Sequence, residues 1–456
     1  MYKSRSLLSF LAALAVLLAG AGLAQARTQA SATQAAPASA APSIAGGFTA
    51  FGSFRTATQQ ATYADYSARS ETGGVQNAQA FNQMKSYVES LYQGVRTVSS
   101  FVYQGNTFDC VSEMSQPTVR ALGLSHLATP PTVSAAKSLA VAGQSNVESS
   151  PLQRGLKDSF GNDVSCADGT IPMERLSLDT LTRFPTLHAF LSKGASSQVA
   201  VPGYNKAHIH AYGYQYVDNA GGNSTLNLWN PSGDFSLSQQ WYVGGSGSGT
   251  QTVEGGWVHY PAMFGSDSVL FIFSTPNDYV GGCWDLDCTG FVQTNNSWAL
   301  GAGFSNYSTY GGSQYVFTMQ WKYWEGNWWL LLKGSGGYTD IGYYPGSMYG
   351  SGPLAKGDAT LTEFGGEVCN GVSGGDDCTN PNWPQMGSGK FASTGWQQAA
   401  YQNDVFYITS SGAGYNSSLT PVTESSKCYS INVTPSSRGG SWGTYFYFGG
   451  PGGYEC

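Results

Sequence analysis

Charge is scarce in this chain: of 456 residues only 21 are Lys or Arg, 28 are Asp or Glu, and 5 are His. Disordered tails and coiled coils need far more, which excludes both. Basic residues thin out further along the sequence. Residues 1–200 hold 14 Lys+Arg against 11 Asp+Glu, whereas 201–456 hold 7 against 17, a net near −10. A surface of that sign repels phosphate backbones, and neither zinc-finger spacing nor a phosphate-cradling Gly-Lys-Ser/Thr loop is present. Nucleic acid and nucleotides are therefore excluded as partners.

Familiar nucleophile motifs are missing too. Gly244-Gly245-Ser246-Gly247-Ser248-Gly249 and Met386-Gly387-Ser388-Gly389 both fail the Gly-x-Ser-x-Gly pattern. There is no His-Glu-x-x-His helix. His208, His210 and His259 could still assemble a zinc site, since His-x-His on a strand puts both rings on one face. A structural role for them is the stronger expectation. No metal or organic cofactor is expected.

Only one apolar run is long, residues 7–23, preceded by Lys3 and Arg5 and followed by Ala24-Gln25-Ala26. That is the pattern of an export signal, residues 1–26, with a small-x-small cleavage site. Nothing after it is long and apolar enough to span a bilayer. The expected product is secreted into the extracellular space or the periplasm, with no membrane attachment once the signal is removed.

In such an oxidising setting eight cysteines read as disulfides. Their grouping favours neighbours: Cys110 with Cys166, Cys283 with Cys288, Cys369 with Cys378, and Cys428 with Cys456. With every thiol paired, a cysteine nucleophile is not expected.

What the chain has in abundance is 60 Gly together with 12 Trp, 28 Tyr and 22 Phe. Residues 27–46 are Ala, Ser, Thr, Gln and Pro and read as a flexible leader. Beyond them, Phe81, Met84, Val88 and Leu91 at three- and four-residue spacing predict a helix within 77–95, and 95–103 predicts a strand. This is a small α+β module, interrupted by an Ala/Ser/Gly/Pro-rich zone over 129–151 expected to be an exposed insertion. Near Ala195 the style changes to alternating runs (210–217, 269–274, 315–321, 328–332, 405–408, 445–448) separated by Gly, Asn, Pro and Ser. The expected fold is an all-β domain, an antiparallel β-sandwich of two packed sheets, over 196–456, preceded by the small α+β module over 27–195.

Six glutamates lie after residue 200: Glu254, Glu325, Glu363, Glu367, Glu424 and Glu455. Glu254 stands before Gly255-Gly256-Trp257 and Glu367 after Phe364-Gly365-Gly366. An acid among Val, Trp and Phe is costly unless it is paired or shares a proton. Two such carboxyls held together titrate apart, as general acid and general base work on water requires. The competing reading makes each a surface residue in a Gly-rich turn. Glu325 reads as a hairpin turn, Glu424 and Glu455 as polar or terminal, and Glu363 as the rival to Glu367.

These motifs add up to a resemblance. Phe108-Asp109-Cys110-Val111, Gln116-Pro117, and Cys166 followed by Gly169-Thr170-Ile171-Pro172 look like the activation peptide of the neprosin family of secreted glutamic endopeptidases. Ser236-Leu237-Ser238-Gln239-Gln240-Trp241, Glu254-Gly255-Gly256-Trp257, Gly282-Cys283, Cys288-Thr289-Gly290-Phe291-Val292-Gln293, Gly365-Gly366-Glu367-Val368 and Tyr445-Phe446-Tyr447-Phe448-Gly449-Gly450-Pro451-Gly452 look like its catalytic domain. The resemblance implies that Glu254 and Glu367 are the catalytic pair and that Gln239 lines the cleft, where it could hold an oxyanion. It also implies a zymogen inhibited by its own N-terminal pro-domain and acting on peptide or protein substrates after proline at acidic pH. Two departures bear on subsites: Gly255 stands where the family has Ala, and Phe364 where it has Trp. Rival functions with the same ingredients are a β-sandwich glycoside hydrolase and a non-catalytic carbohydrate-binding protein.

Overall fold

The computed structural model describes residues 49–67, 74–132, 146–193, 208–371, 378 and 380–456. All of them fall in one compact unit, Ser43–Cys456. The export signal and leader, residues 1–46, lie outside the described residues. Among those described, no helix is long and apolar enough to cross a membrane.

The N-terminal part contains the expected helix, Ala78–Leu91. Asn77 caps it by accepting the Ala80 N–H at 2.9 Å, and Phe81, Met84, Val88 and Leu91 form its buried face. It ends before Gly94, whose φ of 72° lets the chain turn away. Strands β1 (Thr97–Tyr103), β2 (Asn106–Ser112) and, after the short β3 (Asn146–Glu148), β4 (Thr170–Glu174) follow. β1, β2 and β4 form a three-stranded sheet, pinned by the Cys110–Cys166 disulfide and a buried Arg175–Asp109 ion pair. β3 behaves otherwise. It lies in the zone read as an exposed insertion, yet Asn146, Val147 and Glu148 pair in parallel with Gln314, Tyr315 and Val316 of the large sheet, so part of that zone is structural.

From Ile209 the chain alternates as its two-residue periodicity predicts. In order come β5 (Ile209–Asn219), β6 (Gly221–Asn227), β7 (Phe235–Gly244), β8 (Gln251–His259), β9 (Val269–Thr275), β10 (Cys283–Trp284) and β11 (Val292–Gln293). Then follow β12 (Gln314–Trp324), β13 (Asn327–Lys333), β14 (Tyr338–Pro345), β15 (Ala359–Cys369), β16 (Asn382–Trp383), β17 (Ala400–Ile408), β18 (Gly414–Asn416), β19 (Thr420–Thr423), β20 (Ser430–Thr434), β21 (Tyr445–Gly449) and β22 (Gly453–Tyr454). One sheet runs β10-β9-β8-β7-β15-β5-β19. The other runs β11-β14-β13-β12-β6-β17-β21-β20, with β18 on β17 and β3 on β12. Glu325 and Gly326, at φ 45° and 81°, make the tight β12–β13 hairpin expected of them.

The two sheets meet face to face. A Cβ on Gly255 would lie 3.0 Å from the Met319 sulfur, and one on Gly366 would lie 2.5 Å from the Phe448 ring, so the opposite sheet fills the space these glycines leave. Part of this interior is polar and fully bonded. Gln240 reaches Ser224 (2.8 Å), Ser224 reaches Gln402 (2.7 Å), and Gln402 reaches Ser238 (2.9 Å). All four expected disulfides are present, and there is no free cysteine among the described residues.

Every residue of β8 is buried. One of its faces lies against the second sheet; on the other, the residues before Gly194 come down on the strand, as the site below makes explicit.

Candidate active site

Residues paired directly across strands share a face. The register β8–β7–β15–β5 therefore puts Glu254, Trp241, Glu363 and Tyr214 in one row of the outer face. Gly256, Gln239, Gly365 and Tyr212 form the next row, and Val258, Leu237, Glu367 and His210 the third. Glu254 and Glu367 thus lie on the same face of one sheet, with Gln239 and two glycines between them. The glycines are there because strands press in: a Cβ on Gly256 would lie 1.9 Å from the Ser238 carbonyl oxygen, and one on Gly365 2.5 Å from that of Ala211.

Both carboxylates are buried and share one ammonium. Lys193 Nζ donates to Glu254 Oε2 at 2.5 Å and stands 3.2 Å from Glu367 Oε2, at ion-pair distance but without a hydrogen-bonding angle. It also lies over the Trp241 ring, 5.3 Å from its centroid, with Phe271 and Phe273 close by. Its placement follows from the chain just before it. Thr186 caps the helix Leu187–Leu191, the Ser192 hydroxyl closes that helix on His188 O at 2.7 Å, and Trp284 Nε1 donates to Ser192 O at 3.5 Å.

The surroundings of the two acids differ in kind. Glu254 receives neutral donors: Thr252 Oγ1 and Tyr279 OH, each at 2.7 Å from Oε1, and Gln239 Nε2 at 3.0 Å from Oε2. The other amide atom, Gln239 Oε1, is buried with no hydrogen-bond partner among the described residues. Tyr279 is stacked on Phe273 and anchored through its N–H to Thr275 Oγ1 at 3.0 Å. Burial, then the Glu254 charge, pushes its phenol well above the ordinary value.

Glu367 is faced by imidazoles. His208 Nδ1 bonds its Oε1, and His210 Nε2 lies 3.8 Å from Oε2. The far nitrogen of His210, Nδ1, meets Glu424 Oε2 at 2.9 Å, and the same oxygen accepts the His210 backbone N–H at 2.7 Å. Burial would raise the pKa of Glu367, but Lys193, His208 and His210 outweigh it and hold the carboxyl well below the ordinary range. Burial lowers that of His210, yet Glu424 and Glu367 bring it above its usual value. Glu363, in the row of Glu254, is raised to about 7 by burial, opposed by His210 and reinforced by Glu254, Glu424 and Glu367.

The proposed zinc trio does not converge. His208 and His210 turn to Glu367, while His259 has the opposite parity on β8 to Glu254 and faces the sandwich interior side, where its Nδ1 meets Asn230 Oδ1 at 3.1 Å. His208 also lies close to Cys369 and Cys378, but those sulfurs are joined to each other and offer no thiolate.

The two glutamates and Gln239 singled out in the sequence lie together on this face. Sequence reasoning missed Lys193, Thr252 and Tyr279, and passed over Glu424 as a polar surface residue. The available signal was a single Lys at the end of an apolar stretch, Phe190-Leu191-Ser192-Lys193.

Three solved structures are similar in part. Two are crystal structures of scytalido-glutamic peptidase with transition-state analogues: one at 11% identity over 53% of this chain and 98% of that one, TM-score 0.29, the other at 13% over 53% and 97%, TM-score 0.30. The third is SCP-B, a member of the Eqolisin family of peptidases, in complex with the tripeptide Ala-Ile-His, at 10% over 53% and 96%, TM-score 0.28. These values are too low to bear on the chemistry. The family model described as Neprosin matches residues 232–451, a span that contains Gln239, Glu254 and Glu367. Residues 232–451 are therefore a Neprosin domain, the family whose catalytic domain the sequence motifs resemble.

Proposed function

We propose that the chain is a secreted glutamic endopeptidase made as a zymogen, with Glu254 and Glu367 as its catalytic pair and residues 27–195 as a pro-domain covering the cleft. The observation that carries this reading is the single ammonium shared by both carboxylates. Lys193 Nζ stands where a water would have to stand to be activated by one acid while the other engages a carbonyl. While it is there, neither carboxyl is free to move a proton.

Once the ammonium leaves, the chemistry follows from the two acids. An ionised glutamate takes a proton from water, and the oxygen adds to the scissile carbonyl carbon. The protonated glutamate donates first a hydrogen bond to the carbonyl oxygen and then its proton to the leaving nitrogen as the C–N bond breaks. The products are a carboxylic acid and an amine, and a proton passing from one glutamate to the other resets the pair. Gln239, already held against Glu254, supplies an amide N–H beside the developing oxyanion.

Substrate preference after proline rests on the family likeness. Trp241, Tyr212 and Tyr214 on the same face would offer flat walls for a pyrrolidine ring. Acid release follows from the sign of the Glu367 shift. A depressed carboxyl stabilises the covered form above its free value, 4.5, and that stabilisation is lost as pH falls through the depressed value.

The test is acidification of purified precursor beside Glu254→Gln and Glu367→Gln, followed by N-terminal sequencing and digestion of a proline-containing peptide. Loss of both self-processing and digestion in each variant is expected. Wild-type rates in both would remove the reading.

A further inference from the structure

We propose that His208 and His210 are positioning residues that fix Glu367 as the general base and leave the general-acid role to Glu254. This rests on the two-glutamate reading above and divides the labour within it.

The argument starts from the asymmetry of donors. Among the described residues, the groups that remain at ion-pair distance from Glu367 once Lys193 has gone are two imidazoles, one bonded to Oε1 and the other 3.8 Å from Oε2. Those beside Glu254 are a threonine hydroxyl, a phenol and an amide, none of which carries charge in acid. A pair of carboxyls that must share one proton places it on the member with the weaker cationic surroundings. The proton therefore resides on Glu254, and Glu367 remains the anion that accepts from water.

The remaining charged and titratable groups around Glu367 fit this division. On its own strand, Glu363 lies four residues away on the same face and is neutral in acid because its carboxyl is pushed up to about 7. From the segment after β19, Glu424 holds His210 at Nδ1, which keeps that ring protonated and turns Nε2 toward Glu367. From β8 comes Glu254, and from the loop after β9 comes Tyr279, whose phenol stays neutral. The His208 ring bonded to Oε1 and the His210 ring facing Oε2 thus favour the ionised form of Glu367 over that of Glu254 and leave Glu367 able to act as the base.

The experiment measures kcat/KM against pH for acid-processed full chain carrying His208→Gln, His210→Gln or Glu424→Gln. The acid limb of the profile reports ionisation of the base. Each histidine variant should move that limb upward by about one pH unit, an approximately tenfold loss of rate below it, with the alkaline limb unmoved. Glu424→Gln, which leaves both rings in place, should give a smaller shift in the same direction. A variant that does not process itself is cut in trans by tagged wild-type enzyme, which is then removed. An acid limb unchanged in all three overturns the assignment while Glu367→Gln remains inactive. Full activity in Glu367→Gln would instead overturn the underlying two-glutamate reading.

Discussion

Gln116 and Gln293 hold each other in both directions. Gln116 Nε2 donates to Gln293 O at 2.7 Å, and the Gln293 N–H donates to Gln116 Oε1 at 2.9 Å. Both residues are fully buried, and the bonds join the N-terminal part to the strand that edges the large sheet. Each such bond contributes about 0.5–1.5 kcal/mol net, and an orphaned buried partner costs more. Gln116→Ala should weaken attachment of the N-terminal part and hasten its release at a fixed acidic pH several-fold. A time course of processing by gel checks this, and an unchanged rate would show that the clasp does not restrain release.

Lys193→Met keeps the aliphatic volume over Trp241 and removes the charge. Removing one member of a buried ion pair costs on the order of 3–5 kcal/mol. With the largest lowering influence on Glu367 gone, proton uptake by the covered form starts nearer 4.5. The midpoint pH of self-processing should rise by at least about one unit, measured by N-terminal sequencing across a pH series. An unshifted midpoint would mean the ammonium does not govern release.

Asp287 works in the opposite sense. Burial raises its carboxyl from 3.8 to about 7, and Tyr87 of the N-terminal part donates to its carbonyl oxygen. A raised carboxyl stabilises fully below its unfolded value and loses that contribution as pH climbs to the folded one. Thermal stability of the precursor should therefore fall between about pH 4 and pH 7, and Asp287→Asn should flatten that slope. Parallel slopes for the two proteins would show that Asp287 is not the group responsible.

Gly365→Ala tests the floor of the cleft. The added methyl would lie 2.5 Å from Ala211 O and 2.6 Å from Tyr212 Cβ, which forces β15 and β5 apart two residues from Glu367. Overpacking of this kind costs about 1–3 kcal/mol. Misplacing a catalytic group by about an ångström can cost a hundredfold in rate. The expected result is a modest drop in Tm with kcat/KM down at least about tenfold; a loss of stability without loss of rate would place the cleft floor elsewhere.

Much of this was legible because periodicity is local. The helix Ala78–Leu91, the Glu325-Gly326 hairpin and the strand runs each follow from spacing within a few residues, and the disulfides join cysteines that are neighbours in the cysteine order. Glu254 and Glu367 stood out because charge is scarce and glycine surrounds them. What sequence could not deliver depends on partners far apart along the chain. Lys193 meets an acid 61 residues away, and Glu424 meets an imidazole 214 residues away. Ser236, Ser238 and Gln240 look like a solvent face in the alternation of β7, but they point inward, where Gln402 and Ser224 satisfy Ser238 and Gln240. The strand β3 was hidden by its composition, since a parallel partner on β12 supplies the order that Asn146, Val147 and Glu148 do not specify alone.

That same strand separates two events that are usually spoken of as one. None of the four disulfides links a residue before 194 to one after 207. Scission near Ala195 would leave no covalent tether, yet Asn146, Val147 and Glu148 would still be zipped into the sheet of the other fragment. The severed piece would persist as a bound ligand of the enzyme it came from, leaving on its own dissociation clock. Turnover would then lag behind the cut and slow as the protein is concentrated.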